Sequence, residues 1–200
     1  MQELLHKKSD LRVSNVPLSA VPDLEQDFLF PRLGFDFNSS LTSLGVAGNG
    51  AMQPMGQSSS IIHKVYCHFG SKATLLLIPP EFSGFMYRIG NSQNCVRDID
   101  FNLPDFDKFP ALKHLSGYVA ELSHGDAIYI PSGLWYCVAY QGPGISLSFE
   151  ALRGSFFQYT GTMCKFLISR VVNLMPSKDT RLARLEKRII ADTNKRLAKR

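Results

Sequence analysis

Between residues 61 and 151 the chain is cut into short β-forming runs, each closed by proline or glycine. That spacing points to a β-barrel or sandwich and little else. The run Ile61-Ile62-His63-Lys64-Val65-Tyr66-Cys67-His68-Phe69 ends at Gly70-Ser71, and residues 74–78 form an apolar run stopped by Pro79-Pro80. Residues 118–122 alternate in polarity, Gly125-Asp126 turns the chain, and Ala127-Ile128-Tyr129-Ile130 stops at Pro131. Residues 135–140 and 145–151 flank Gln141-Gly142-Pro143-Gly144, a hairpin signal. Ahead of this region, residues 45–60 are rich in Gly, Ser, Gln and Met and are expected to form a flexible loop. Residues 1–22 read as irregular or extended, and residues 23–30 as a short helical turn ended by Pro31.

The last quarter changes period. Phe156, Phe157, Met163, Phe166, Leu167, Val171, Leu174 and Met175 are spaced for a helix with a wide apolar face, and Pro176 breaks it. Ser177 or Asp179 can cap a second helix, in which Leu182, Leu185, Ile189, Thr193 and Leu197 make one stripe. The expected organisation is therefore an irregular segment over 1–22, a β-barrel over 23–154, and a basic helical pair over 155–200. Those helices either pack on the barrel or pair with another copy of the chain.

Charge is concentrated in the same place. Nine of the 22 Lys and Arg residues lie in positions 176–200, against three acids, so the body of the chain is close to neutral despite a formal net charge of +5. Composition gives no support for a nucleic-acid-binding face on the body. A polyanion at the basic tail is one reading; the solvated side of a packing helix is the commoner one. No run approaches the roughly 18 apolar residues that span a bilayer. The four cysteines, at 67, 95, 137 and 164, show no metal-ligand or disulfide spacing and read as reduced thiols in a cytoplasmic protein.

The segment Leu122-Ser123-His124-Gly125-Asp126-Ala127-Ile128-Tyr129-Ile130-Pro131-Ser132-Gly133-Leu134-Trp135-Tyr136 resembles the G-D-x-x-Y-I-P-x-x-W-W-H signature of the cupin-like JmjC family. Phe69-Gly70-Ser71-Lys72, followed by the strand ending in Pro79-Pro80, is similar to that family's G-x-K-K/R strand. Asp98-Ile99-Asp100-Phe101-Asn102-Leu103-Pro104-Asp105-Phe106-Asp107-Lys108-Phe109-Pro110 resembles its D-F-x-N-P-D-x-x-K-F-P segment, and residues 189–197 resemble the C-terminal helix of bacterial cupin-like proteins. The resemblance implies a mainly β fold, a double-stranded β-helix of the cupin or jelly-roll type, followed by two C-terminal α-helices. It also implies the fold of the Fe(II)- and 2-oxoglutarate-dependent oxygenases, whose metal is held by a His-x-Asp pair and a later His.

At the positions matching those ligands the residues differ. The later His falls on Tyr136, and the His-x-Asp pair falls on Gly56 and Ser58 or on Ser58 and Ser60, depending on alignment. The basic residue that would hold the cosubstrate falls on Ala73 or Thr74, with Lys72 adjacent. Neutral hydroxyls and a glycine are poor substitutes for a His/Asp/His set. His63 and His68 are five apart on one strand and face opposite ways, whereas His124 and Asp126 belong to a turn. The expected reading is a catalytically silent barrel with no metal and no cofactor, acting as a binding or assembly module and forming a homodimer through residues 155–200. Its pocket would be lined by His68, Lys72, Tyr129, Trp135 and Tyr136, unless these positions are simply filled core. The alternative is an Fe(II)/2-oxoglutarate hydroxylase acting on protein or RNA through a non-standard metal site.

Overall fold

The computed structural model describes residues 11–27, 29, 33–34, 37, 41–59, 62–90, 92–152 and 179–199. Among the described residues, nine strands form two antiparallel sheets that face each other. One sheet has the order β1 (Arg12–Pro17), β2 (Ser43–Ala47), β9 (Gly144–Leu152), β4 (Ile62–Gly70) and β7 (Ala127–Ile130). The other has the order β3 (Met52–Gln57), β8 (Trp135–Tyr140), β5 (Ala73–Ile78) and β6 (Tyr118–Leu122). Of the connections between consecutive strands, only β1–β2 and β5–β6 stay within one sheet; every other one passes to the opposite sheet, as in a jelly roll.

Strand alternation sets three layers. Ala47, Tyr66, Ala73, Leu75, Leu77, Tyr136, Val138 and Tyr140 meet between the sheets. On the outer face of the five-stranded sheet, Val65, Leu147 and Phe149 pack under Leu18 and Leu24, the latter on helix α1 (Pro22–Gln26). On the outer face of the four-stranded sheet, Met55, Ile78, Trp135 and Cys137 pack under Met86 and Cys95 from the long β5–β6 connection.

Two expectations are corrected here. Residues 45–60 are not a flexible loop: they contain part of β2 and all of β3, and β2 is paired on both sides, with β1 and β9. A Cβ at Gly45 would lie 2.6 Å from Oγ of Ser146, its cross-strand partner on β9, so a larger residue there would have to turn that hydroxyl aside. The segment ahead of residue 23 is extended over Arg12–Pro17 and hydrogen-bonded as the edge strand β1, so the sheet begins earlier than residue 23. The helix expected over 156–175 lies outside the described residues.

Helix α2 (Asp179–Leu197) docks on the chain's own β5–β6 connection, where Ile189, Ile190 and Leu197 meet Tyr87, Val96, Phe109 and Leu112. Polar groups anchor the same face. The Tyr87 hydroxyl donates to Asn194 Oδ1 at 2.6 Å and accepts from the Ala111 N–H at 3.0 Å. Glu186 Oε1 accepts from the Arg97 N–H at 3.2 Å. The packed face includes Ile189 and Leu197 of the expected stripe, widens to take in Glu186, Ile190 and Asn194, and leaves Leu185 44% exposed. An apolar pattern does not count the polar anchors Asn194 and Glu186.

Candidate functional site

The space between the sheets is not uniformly apolar. On β9, Ile145, Leu147, Phe149 and Ala151 point outward, so Ser146, Ser148 and Glu150 point between the sheets; on β4 the matching inward set is Ile62, Lys64, Tyr66 and His68. Lys64 and Glu150 are direct cross-strand partners. Their side chains are about nine-tenths buried and meet at 2.9 Å, Lys64 Nζ to Glu150 Oε1. The same ammonium donates to the Tyr136 hydroxyl on the opposite sheet at 2.6 Å and lies 4.9 Å from the ring centroid. Beside it the Tyr66 and Tyr140 hydroxyls are hydrogen-bonded to each other at 2.7 Å.

Electrostatics keep this cluster in one protonation state. Burial on its own would lower the Lys64 pKa, but the charge and hydrogen bonds of Tyr136 and Glu150 outweigh it, and the net shift is upward. Tyr66 is pushed up by burial and then by Tyr140, so it stays a neutral phenol. Outside the barrel, burial pushes the Cys95 and Cys137 thiols up to about 12. All four groups hold their protons more tightly folded than unfolded, so each contributes stability that is lost as pH rises. Stability should be level through neutral pH, fall above about 8.5–9 through the thiols, and fall faster above about 10 through Tyr66 and Lys64. Urea unfolding against pH checks this; a loss centred between pH 6 and 8 would contradict the arrangement.

The sequence-derived site residues separate onto different faces. Gly56 stands directly opposite Tyr136 in the β3–β8 ladder, so the structure does bring these two matching positions together. Ser58 follows the end of β3; its N–H donates to the Leu134 carbonyl and its buried Oγ has no partner. Ser60 lies outside the described residues. Of the expected pocket lining, only His68 and Tyr136 face inward. Trp135, one residue from Tyr136, points to the outer layer, where its Nε1–H donates to Ser83 Oγ at 2.8 Å. Tyr129 is 40% exposed on the outside of β7, hydrogen-bonded to and stacked on His63. Lys72 is exposed in the β4–β5 turn, where its carbonyl accepts from the Gln141 N–H.

The histidines are held by structural roles. His68 is fully buried, and its Nε2–H donates to the Ser71 carbonyl at 2.5 Å, tying β4 to the following turn. His124 Nδ1 accepts from the Gly70 N–H at 3.1 Å, while Asp126 Oδ2 accepts from the Ser123 N–H at 2.7 Å. Both members of the turn pair therefore serve the turn. Among the described residues, no three His, Cys, Asp or Glu side chains converge as metal ligands would. Cys67, Cys95 and Cys137 are free thiols. Among the described residues, no helix is long and apolar enough to cross a membrane.

Sequence reasoning missed Lys64, Glu150 and Arg12. Arg12, on edge strand β1, is half-buried beside a small cavity between the sheets, of about 20 Å³, which is also lined by Ser43, Gln53, Lys64, Tyr140 and Ser146. A signal existed for the first two: each shares its strand parity with the inward residues, in strands whose other parity is apolar.

Two antiparallel sheets with this crossing pattern, enclosing a polar interior, define a cupin-type barrel. Residues 48–151 match the cupin-like domain, and the chain belongs to that family. Solved structures to which it is similar include the Cnp3 cupin domain of Schizosaccharomyces pombe, at 10% identity and a TM-score of 0.38, covering 67% of this chain and 66% of that one. The CENP-C cupin domain of Drosophila melanogaster is 10% identical, with a TM-score of 0.35 and coverage of 62% and 74%. A cupin superfamily protein of Desulfitobacterium hafniense is 10% identical, with a TM-score of 0.36 and coverage of 77% and 88%.

Proposed function

We propose that this chain is a catalytically silent cupin-like barrel that acts as a binding or assembly module, a divergent JmjC-like member that has lost its metal centre. The observation that carries this reading is the Lys64 ammonium bonded to the Tyr136 hydroxyl at 2.6 Å. Position 136 matches the family's later histidine ligand. Here its oxygen faces a buried ammonium, and a metal dication beside that charge would be repelled in a poorly screened interior. The other matching positions offer Gly56, which has no side chain, and the neutral hydroxyl of Ser58. This donor set does not fit Fe(II), which takes imidazole and carboxylate ligands in such sites.

The chemistry that an oxygenase would perform gives a direct test. Supplied with Fe(II), a reductant and 2-oxoglutarate, the full chain should form no more succinate than the metal and reductant do alone. Turnover that depends on the protein and survives repurification overturns the proposal.

The assembly favoured is a homodimer through residues 155–200, in the cytoplasm, where the free thiols at 67, 95 and 137 would stay reduced. Its support is the exposed Leu185 on a helix whose opposite face is already occupied by the chain itself. Light scattering should give twice the chain mass of 22.3 kDa, and a monomer at high concentration would remove the dimer.

A further inference from the structure

Arg12 is held in an unusual setting. It lies ahead of the stretch shared with the cupin-like family, on β1, where Arg12 pairs with Ala47 before the strand bulges around Asn15. Its side chain is half-buried and makes no ion pair among the described residues. Burial pulls its pKa down, and its electrostatic neighbours are the interior phenols of Tyr140, Tyr136 and Tyr66 rather than a carboxylate. A partly desolvated guanidinium without an anion is costly, and guanidinium's fork of donors matches a carboxylate in shape.

The surroundings supply the rest of such a site. The cavity that Arg12 borders is walled by Ser43, Ser146, Ser148, Tyr140 and Gln53, all able to donate hydrogen bonds. Its described charged residues are Arg12 and Lys64, and Lys64 is already matched by Glu150, so one positive charge is left over. One negative charge balances it; a dianion would overshoot. The volume of about 20 Å³ admits one water-sized group, such as a single oxygen of a bound anion, and Ser14 and Asn15 also line it. We propose that this cavity binds a single carboxylate group, with Arg12 as its principal partner and one carboxylate oxygen seated among the serine hydroxyls. The proposal rests on reading the barrel as a binding module, and it names what that module binds. The carboxylate belongs either to a small free acid or to the end of a peptide chain.

Thermal unfolding of the full chain, first stripped of metal on a chelating resin, tests it, using sodium acetate against sodium chloride at matched ionic strength. Acetate should raise the midpoint saturably while chloride does not, because a ligand of the native state stabilises by mass action. Arg12→Gln should lose at least tenfold in acetate affinity, and Arg12→Lys should lose less. A third arm uses acetyl-diglycine with a free C-terminus: a stronger response than acetate assigns the site to a chain end, and an equal or weaker one assigns it to a small acid. Equal responses to acetate and chloride, or a saturable acetate response unchanged in Arg12→Gln, overturn the carboxylate site alone. If Arg12→Gln does not fold, the acetate–chloride comparison on the native chain still decides. A response that appears only when Mn(II) is added to the metal-free chain overturns the binding-module reading as well.

Discussion

Lys64→Met is expected to destabilise the protein by about 3–5 kcal/mol, because it removes one member of a buried ion pair and takes from Glu150 the ammonium that faces it at 2.9 Å. Glu150 would keep a largely buried carboxylate facing an apolar side chain, and the Tyr136 hydroxyl would lose a charged donor at 2.6 Å. The cost therefore lies mainly in what is left behind. Lys64→Met combined with Glu150→Gln should be less destabilised than Lys64→Met alone, which a double-mutant cycle by urea unfolding would show as strong coupling. A loss below about 1 kcal/mol in Lys64→Met would mean that water reaches the pair, as it does at exposed salt bridges.

Trp135→Ala should cost a similar amount, about 3–5 kcal/mol, for a different reason. Trp135 is 0% exposed and fills the layer between the four-stranded sheet and the β5–β6 connection, against Met55, Ile78, Met86, Cys95 and Cys137. Its removal leaves a cavity and also takes away the indole donor to Ser83 Oγ, which keeps its own bond to the Pro80 carbonyl. Because it faces away from the space between the sheets, the surviving folded fraction should keep the environment of Tyr136, read by tyrosine fluorescence or NMR. A comparable loss of stability with a disturbed Tyr136 would contradict the assignment of these neighbours to opposite faces.

The contrast between Trp135 and Tyr136 shows where the sequence was legible. The strands from residue 62 onward announce themselves because Pro79, Pro131 and the glycines close each run, and their order carries the family resemblance. The motif also located Tyr136. It did not say which of its aromatic residues share a face, and a period of two sends Trp135 and Tyr129 outward while Tyr136 turns in. β2 and β3 were hidden because Gly45, Gly56, Gln53 and Gln57 have little intrinsic strand preference; their pairing is imposed by neighbours on both sides of β2 and by β8.

The polar interior was hidden for another reason. A lysine or glutamate in a strand usually marks the wet face, so residue type alone gives Lys64 and Glu150 no sign of burial. Only their parity with Tyr66, His68, Ser146 and Ser148 betrays them, and only the pairing of β4 with β9 places the two charges opposite each other. Arg12 could not be read at all, since its position depends on the addition of β1 to the sheet edge. Helix α2 was found by its period, with Ile189 and Leu197 on the packed face; its polar anchors, Asn194 and Glu186, were not legible in an apolar pattern.

The central claim is that a lysine bonded to Tyr136 takes the part of the barrel where the family's oxygenases hold iron. Thermal unfolding of the native chain with Mn(II) and 2-oxoglutarate together, against each alone, tests it most directly. The account predicts no shift from the pair beyond that of 2-oxoglutarate alone. A saturable rise that needs both, and that Tyr136→Phe abolishes, would contradict it.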